Sequence, residues 1–114
     1  MSYADWRGEF AKGTDARTYP IEWLDWMLDY AKARFWESDE AAIVAEIRKF
    51  PTGLTEVHGL IAAGTIEGVK ALIPLAEQWG REEGCFRASI TSRPGWAKAL
   101  DDYEPSQVTV VKEF

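Results

Sequence analysis

Glu56 and His58 stand two residues apart in a run, residues 54–63, whose alternation has the period of a β-strand. Side chains two apart on a strand share a face, so a carboxylate and the chain's single imidazole would lie side by side. Such a pair can accept and pass on a proton, directly or through water. On a solvated sheet face it would only titrate. Glu46, on the preceding run, could neighbour both, and its charge would raise the His58 pKa by attraction. Cys85 opens an apolar run and could act as a nucleophile, but with one histidine and no third partner a small core filler is the better account. Arg93, beside a helix start, could hold a phosphate or carboxylate, or face solvent.

The chemistry open to these residues is bounded by composition. Nineteen acids against thirteen bases leave a net charge of −6. Nucleic-acid binding draws its affinity from neutralised phosphates, and the bases here are scattered, so no nucleic-acid partner is expected. A single anionic cofactor remains compatible, because backbone N–H groups at a helix start bind phosphate without side-chain charge. One cysteine allows neither an intrachain disulfide nor a C-x-x-C site, and with one histidine no metal site is expected. No apolar run approaches the roughly 20 residues that span a bilayer, and the first twenty residues lack a signal-type apolar stretch. A cytoplasmic setting without membrane contact is the expectation. The 114 residues suit one domain, residues 1–114.

Positioning falls to an α/β (α+β) arrangement. Residues 1–19 form an N-terminal arm with Tyr3, Trp6 and Phe10 at helical spacing, read as a short helical turn followed by a loop. Residues 20–33 form a helix opened by Pro20, with one apolar stripe of Ile21, Leu24, Leu28 and Ala31 and a second of Trp23, Trp26 and Tyr30. The second stripe is covered by the aromatic arm, by a second copy in a homodimer through helix 20–33, or by lining an acceptor cleft. Residues 33–63 read as a three-strand antiparallel meander, turning at Ser38-Asp39-Glu40 and at Pro51-Thr52-Gly53. Thr65 then caps a helix to residue 84, with Pro74 inside it predicting a kink or two abutting helical pieces. Residues 85–114 give strand, helix and a final strand over 107–112, for a mixed sheet of about five strands with helices on both faces. The crossover between the strands on either side of the 65–84 helix is long enough for one parallel β-α-β junction.

This order resembles the GCN5-related N-acetyltransferases. In that family a central strand leads through a loop into a long helix, and the next strand splays away to admit the pantetheine arm of acetyl-CoA. The stretches LAEQWGREEGC and ITSRPGWAKAL are similar to small acetyltransferase-like proteins of phages and prophages, with Ser92 where those often carry Gly. The resemblance covers about residues 33–113.

What the resemblance implies is an acetyl-CoA-dependent N-acetyltransferase acting on a small-molecule or protein amine. Its base would be Glu56 or His58, and its acid Tyr103, which could equally plug the core. Cofactor contacts would come from Ala63, Gly64, Thr65, Ile66 and Gly68 at the loop, and from Arg93. The family's Gln/Arg-x-x-Gly-x-Gly/Ala loop is not matched in either register. Aligning Gly64 places Ile61 and Ile66 at the key positions, and aligning Gly68 places Thr65 and Lys70 there. Glu67 adds negative charge beside them. The alternative is a non-catalytic phage- or prophage-derived domain of the same fold, working through protein contacts.

Overall fold

The computed structural model describes residues 2–92 and 95–114. Eight elements follow in order: α1 (Tyr3–Gly13), α2 (Ile21–Asp29), β1 (Ala33–Glu37), β2 (Ala41–Lys49), β3 (Thr55–Gly64), α3 (Ile66–Glu82), β4 (Arg87–Ile90) and α4 (Gly95–Ala99). The sheet runs β1-β2-β3-β4, antiparallel through the meander and parallel between β3 and β4. A crossover, here through α3, is what a parallel neighbour demands, since hairpin turns serve only antiparallel pairs.

Two apolar layers sandwich the sheet. On one face Ala41, Ile43, Ala45 and Val57 pack against Val69, Leu72 and Ala76 of α3, with Trp36, Trp79 and Trp96 around them. On the other, Ala42 and Val44 meet Phe10 of α1 and Leu24 of α2. The arm expected to be a helical turn is a helix of 11 residues. Tertiary contacts hold it against the interruption by Gly8. Phe10 is fully buried, Tyr3 and Phe10 each set their rings edge-on to Phe35, and Arg7 pairs with Asp25 of α2 at 2.8 Å. The arm therefore packs on the sheet and on the Leu24 stripe. It leaves Trp26 47% and Tyr30 65% exposed, and of the second stripe of α2 only Trp23 packs on the core around Phe10, so the arm does not cover that stripe as a whole.

Helix α3 runs without interruption through Pro74. Two expectations for the C-terminal third change. The strand after α3 is four residues long, and residues 107–112 form no strand, so the sheet of the described residues has four strands. Alternation specifies a face but not a neighbour. Val108, Val110 and Val111 stay exposed, and the end of the chain is tied instead by Glu113 to Arg17 at 3.1 Å. Among the described residues no helix is long and apolar enough to cross a membrane.

Gly80 sets how closely α3 approaches the sheet: a Cβ there would lie 2.6 Å from Val57 Cγ1. Gly80→Ala is therefore expected to destabilise the fold by about 1–3 kcal/mol in urea unfolding, through overpacking. This opposes the roughly 1 kcal/mol that alanine gains over glycine in a free helix.

Candidate active site

A one-residue excess in β3 shapes the site. Val44 faces Ile61 and Ala45 faces Gly59, so Leu60 has no partner on β2. A bulge of this kind bends its strand and re-aims its side chains. On the other edge the parallel ladder covers only Glu56–Arg87, Val57–Ala88, His58–Ser89 and Gly59–Ile90. Past Gly59, β3 continues to Gly64 with no β4 partner, and the two central strands part. The opening is a cavity of about 340 Å³ between Leu60, Ile61 and Ala62 on one side and Ile90, Thr91 and Ser92 on the other. Val69, Ile73 and Ala76 of α3 form its floor, and Trp96 and Tyr103 close one flank.

Glu56 and His58 do share a strand face, but that face is not solvated: each is 3% exposed. They are linked through β4. Arg87 Nε donates to Glu56 Oε1 at 2.6 Å, and Ser89 Oγ donates to Glu56 Oε2 at 2.8 Å. His58 Nδ1 lies 2.7 Å from Ser89 Oγ, and its Nε2 lies 3.3 Å from Thr91 Oγ1. Ser89 and Thr91 both line the cavity. Sequence reading missed Arg87 and Ser89 of β4 and Thr91 just past its end. Their signal was present in the polar alternation Arg87, Ser89, Thr91, which register alone turns into neighbours of Glu56 and His58.

Electrostatics differ from expectation. Burial pushes the His58 pKa down to about 4, helped by the nearby Arg48 charge, and together these outweigh the attraction of Glu56. Glu46 is the register partner of His58 on β2, as anticipated, yet the imidazole does not gain basicity. For Glu56, burial alone would raise the pKa, but the bonds from Arg87 and Ser89 outweigh it and hold the carboxyl below its usual range. Glu46 is shifted upward by burial, with the like charge of Glu56 adding to it and Arg48 opposing. At neutral pH the imidazole is neutral and Glu56 is an ion-paired carboxylate, committed as an acceptor.

Tyr103 reaches the cavity flank, where its hydroxyl donates to Glu77 of α3 at 2.7 Å. Burial first, then Glu77, raises its pKa, so it is a poor proton donor toward the cleft. Cys85 is half-buried and packs against the α3 core, in keeping with a filler. Arg93 lies outside the described residues.

The loop residues divide in the same way. Ala63 packs in the α1-side core and Ile66 is exposed. Gly64 has φ +103°, and a Cβ there would collide with the Glu40 carbonyl. Gly68 has Ala41 Cβ, Glu40 Cβ and Thr65 Oγ1 each 2.9 Å from where its own Cβ would be. Both glycines thus serve the close approach of α3 to the β1–β2 turn. The Gly68 N–H is taken by the Thr65 cap at 3.0 Å, and the Glu40 and Glu67 carboxylates flank the helix start, with Lys70 4.0 Å from Glu67. The cavity is lined largely by apolar side chains, as the arm of a thioester donor would need. The α3 start does not fit the diphosphate of CoA, because its capping donor is used and its nearest side-chain charges are negative.

Solved acetyltransferases share this architecture. An aminoglycoside N-acetyltransferase in complex with CoA superposes with a TM-score of 0.66 over 100% of this chain and 96% of that one, at 18% identity. The fold is the GCN5-related N-acetyltransferase fold. Glucosamine-6-phosphate N-acetyltransferase from Arabidopsis thaliana matches at a TM-score of 0.64, 13% identity, and 100% and 95% coverage. Ribosomal-protein-alanine N-acetyltransferase from Brucella melitensis matches at 0.64, 13% identity, and 98% and 91% coverage. No family model matches the sequence, and no curated protein does. At these identities the likeness is one of fold.

The depressed His58 pKa has a consequence for stability. Between an unfolded value near 6.5 and the folded value of about 4, the unfolded chain binds a proton that the native one refuses. Stability should therefore fall as pH drops from about 6.5 toward about 4, by on the order of 3 kcal/mol. Glu56, whose pKa is also lowered, extends the loss into more acid solution, and Glu46 acts in the opposite sense. Urea unfolding across this window checks it, and His58→Gln should flatten the slope.

Proposed function

We propose that this chain transfers an acyl group from a thioester donor, with acetyl-CoA the first candidate, to the nitrogen of an amine. The observation that carries the reading is the parting of β3 and β4 beyond Gly59, next to a buried neutral imidazole. The donor supplies an activated carbonyl. Backbone groups on the free edge of β3 offer the hydrogen bonds that a strand partner would have used, to an extended arm laid along them. The apolar floor of Val69, Ile73 and Ala76 keeps water from the thioester.

The amine attacks the carbonyl carbon, the N–C bond forms, and collapse of the adduct breaks the C–S bond and releases a thiolate. His58 receives the proton that the nitrogen loses. With a pKa of about 4, it suits the strongly acidic nitrogen of the adduct and not a free ammonium. The acceptor must therefore arrive as the neutral amine. The rate should rise with pH along the acceptor's own titration, with no inflection from His58 between about pH 6 and 8, as steady-state kinetics with two amines of different pKa would report. The thiolate takes its proton from solvent, since Tyr103 is engaged with Glu77.

A melting shift with acetyl-CoA is the direct test. A ligand at about 100 times its dissociation constant adds about 2.7 kcal/mol, and no shift at millimolar concentration would defeat the reading. Replacing Glu40 and Glu67 together by Gln should tighten CoA several-fold at low salt, and the gain should shrink as salt rises. A second reading, a domain of this fold working through protein contacts, is favoured by the exposed Trp26–Tyr30 face and the acidic α3 start. It is the outcome in which donor binding is absent.

A further inference from the structure

The four side chains of Glu56, Ser89, His58 and Thr91 can be assigned their hydrogens by elimination. Glu56 is an ionised carboxylate and can only accept. Ser89 Oγ, at 2.8 Å from Glu56 Oε2, must therefore spend its one proton there. Its oxygen is left to accept from His58 Nδ1 at 2.7 Å, so Nδ1 carries the ring hydrogen. The imidazole is neutral, which leaves a lone pair on Nε2, and Thr91 Oγ1 is the donor that meets it at 3.3 Å. Every bond points the same way, from Thr91 through His58 and Ser89 to Glu56. At the far end Arg87 anchors the carboxylate, its guanidinium held 5.3 and 5.0 Å from the Phe50 and Phe86 ring centroids.

We propose that Ser89 and Glu56 are positioning residues that lock His58 in the Nδ1–H tautomer, and that the Thr91 hydroxyl is the port through which a proton from the cleft reaches Nε2. This deepens the transfer reading and rests on it for its purpose. Thr91 is exposed on the cavity wall while His58 is buried, so the hydroxyl is the end of the chain that an acceptor can touch. As its hydrogen passes to Nε2, the Thr91 oxygen takes the proton from the adduct nitrogen. The imidazole becomes the cation, and Nδ1–H keeps its bond to Ser89. The opposite tautomer would place a hydrogen on Nε2 and close this path.

The chain has one histidine, so long-range ¹H–¹⁵N correlation of the imidazole reads the tautomer without assignment and without donor or acceptor present. Wild type is expected to show a protonated Nδ1 and a bare Nε2. Glu56→Gln makes the sharper test. Arg87 would hold the amide oxygen on its side, turning the amide NH₂ toward Ser89. Ser89 would then accept from Gln and donate to Nδ1, moving the ring hydrogen to Nε2. Ser89→Ala, which removes the Nδ1 acceptor, should give a mixture of the two forms and serves if the Gln variant does not fold. Wild type with hydrogen on Nε2, or no change of tautomer in either variant, overturns the lock whether or not the protein is a transferase. For the port, Thr91→Val should lower kcat at least tenfold with KM little changed and the Nδ1–H signature kept, and Thr91→Ser should restore the rate. Undiminished turnover in Thr91→Val overturns it.

Discussion

The parting of β3 from β4 after Gly59 is the constraint on which the rest of the molecule turns. A sheet with a fully zipped centre would have no interior opening, because stacked side chains and ladder bonds would fill it. Here Leu60 is surplus to the pairing with β2, so β3 bends while still hydrogen-bonded on that side. The next strand, reached through α3, follows it for four residues and no further. Each neighbour then has a task defined by the gap. α3 floors it with Val69, Ile73 and Ala76, and Gly80 lets that helix lie close enough on Val57 to do so. α4 and Tyr103 flank it from the other side.

The same short ladder explains why the polar network sits where it does. The paired segment is where β3 and β4 side chains stand in register, and its two pairs on one face, Glu56–Arg87 and His58–Ser89, are polar on both strands, with Thr91 just beyond them. Removed from water, these groups are costly unless each finds a partner. The described residues contain no buried side-chain polar atom without one. Arg87 neutralises Glu56 at the wet end, and each hydroxyl passes the polarity one step inward. The outcome is a neutral imidazole beside an apolar cleft, with its orientation decided by a carboxylate two bonds away.

Sequence periodicity carried the meander, the crossover helix and the parallel junction, because each is written in local spacing and turn chemistry. It also carried the pairing of Glu56 with His58 on one face. What it could not carry was register. Ser89 is an ordinary strand residue until the ladder sets it against His58 and brings Thr91, just past the strand, to the same ring, and that alignment is a property of two segments separated by a 17-residue helix. The sign of the His58 shift failed for a related reason: attraction to a neighbouring carboxylate is legible from alternation, whereas desolvation depends on what covers the site. The tail shows the converse. Residues 107–112 have strand-like alternation, yet a strand exists only where an edge accepts it, and the valines remain exposed.

The α3 start bears on how far likeness of fold reaches toward likeness of ligand. Two glycines close together before a helix invite a phosphate reading, since glycine allows close backbone approach. In this chain the space that Gly64 and Gly68 leave is taken by Glu40 and Ala41, and the hydroxyl of Thr65 takes the Gly68 N–H that an anion would seek. The helix dipole still favours negative charge there, by up to a few tenths to 1 kcal/mol for an exposed group. Glu67 and the cap already satisfy that preference, and a diphosphate would have to displace or outcompete them. Under the proposed transfer, a donor would be held chiefly by its arm and oriented by the cleft and not by its charged end. Binding energy would then be concentrated next to the reacting carbonyl, where it can act on the transition state, and not at a remote anchor.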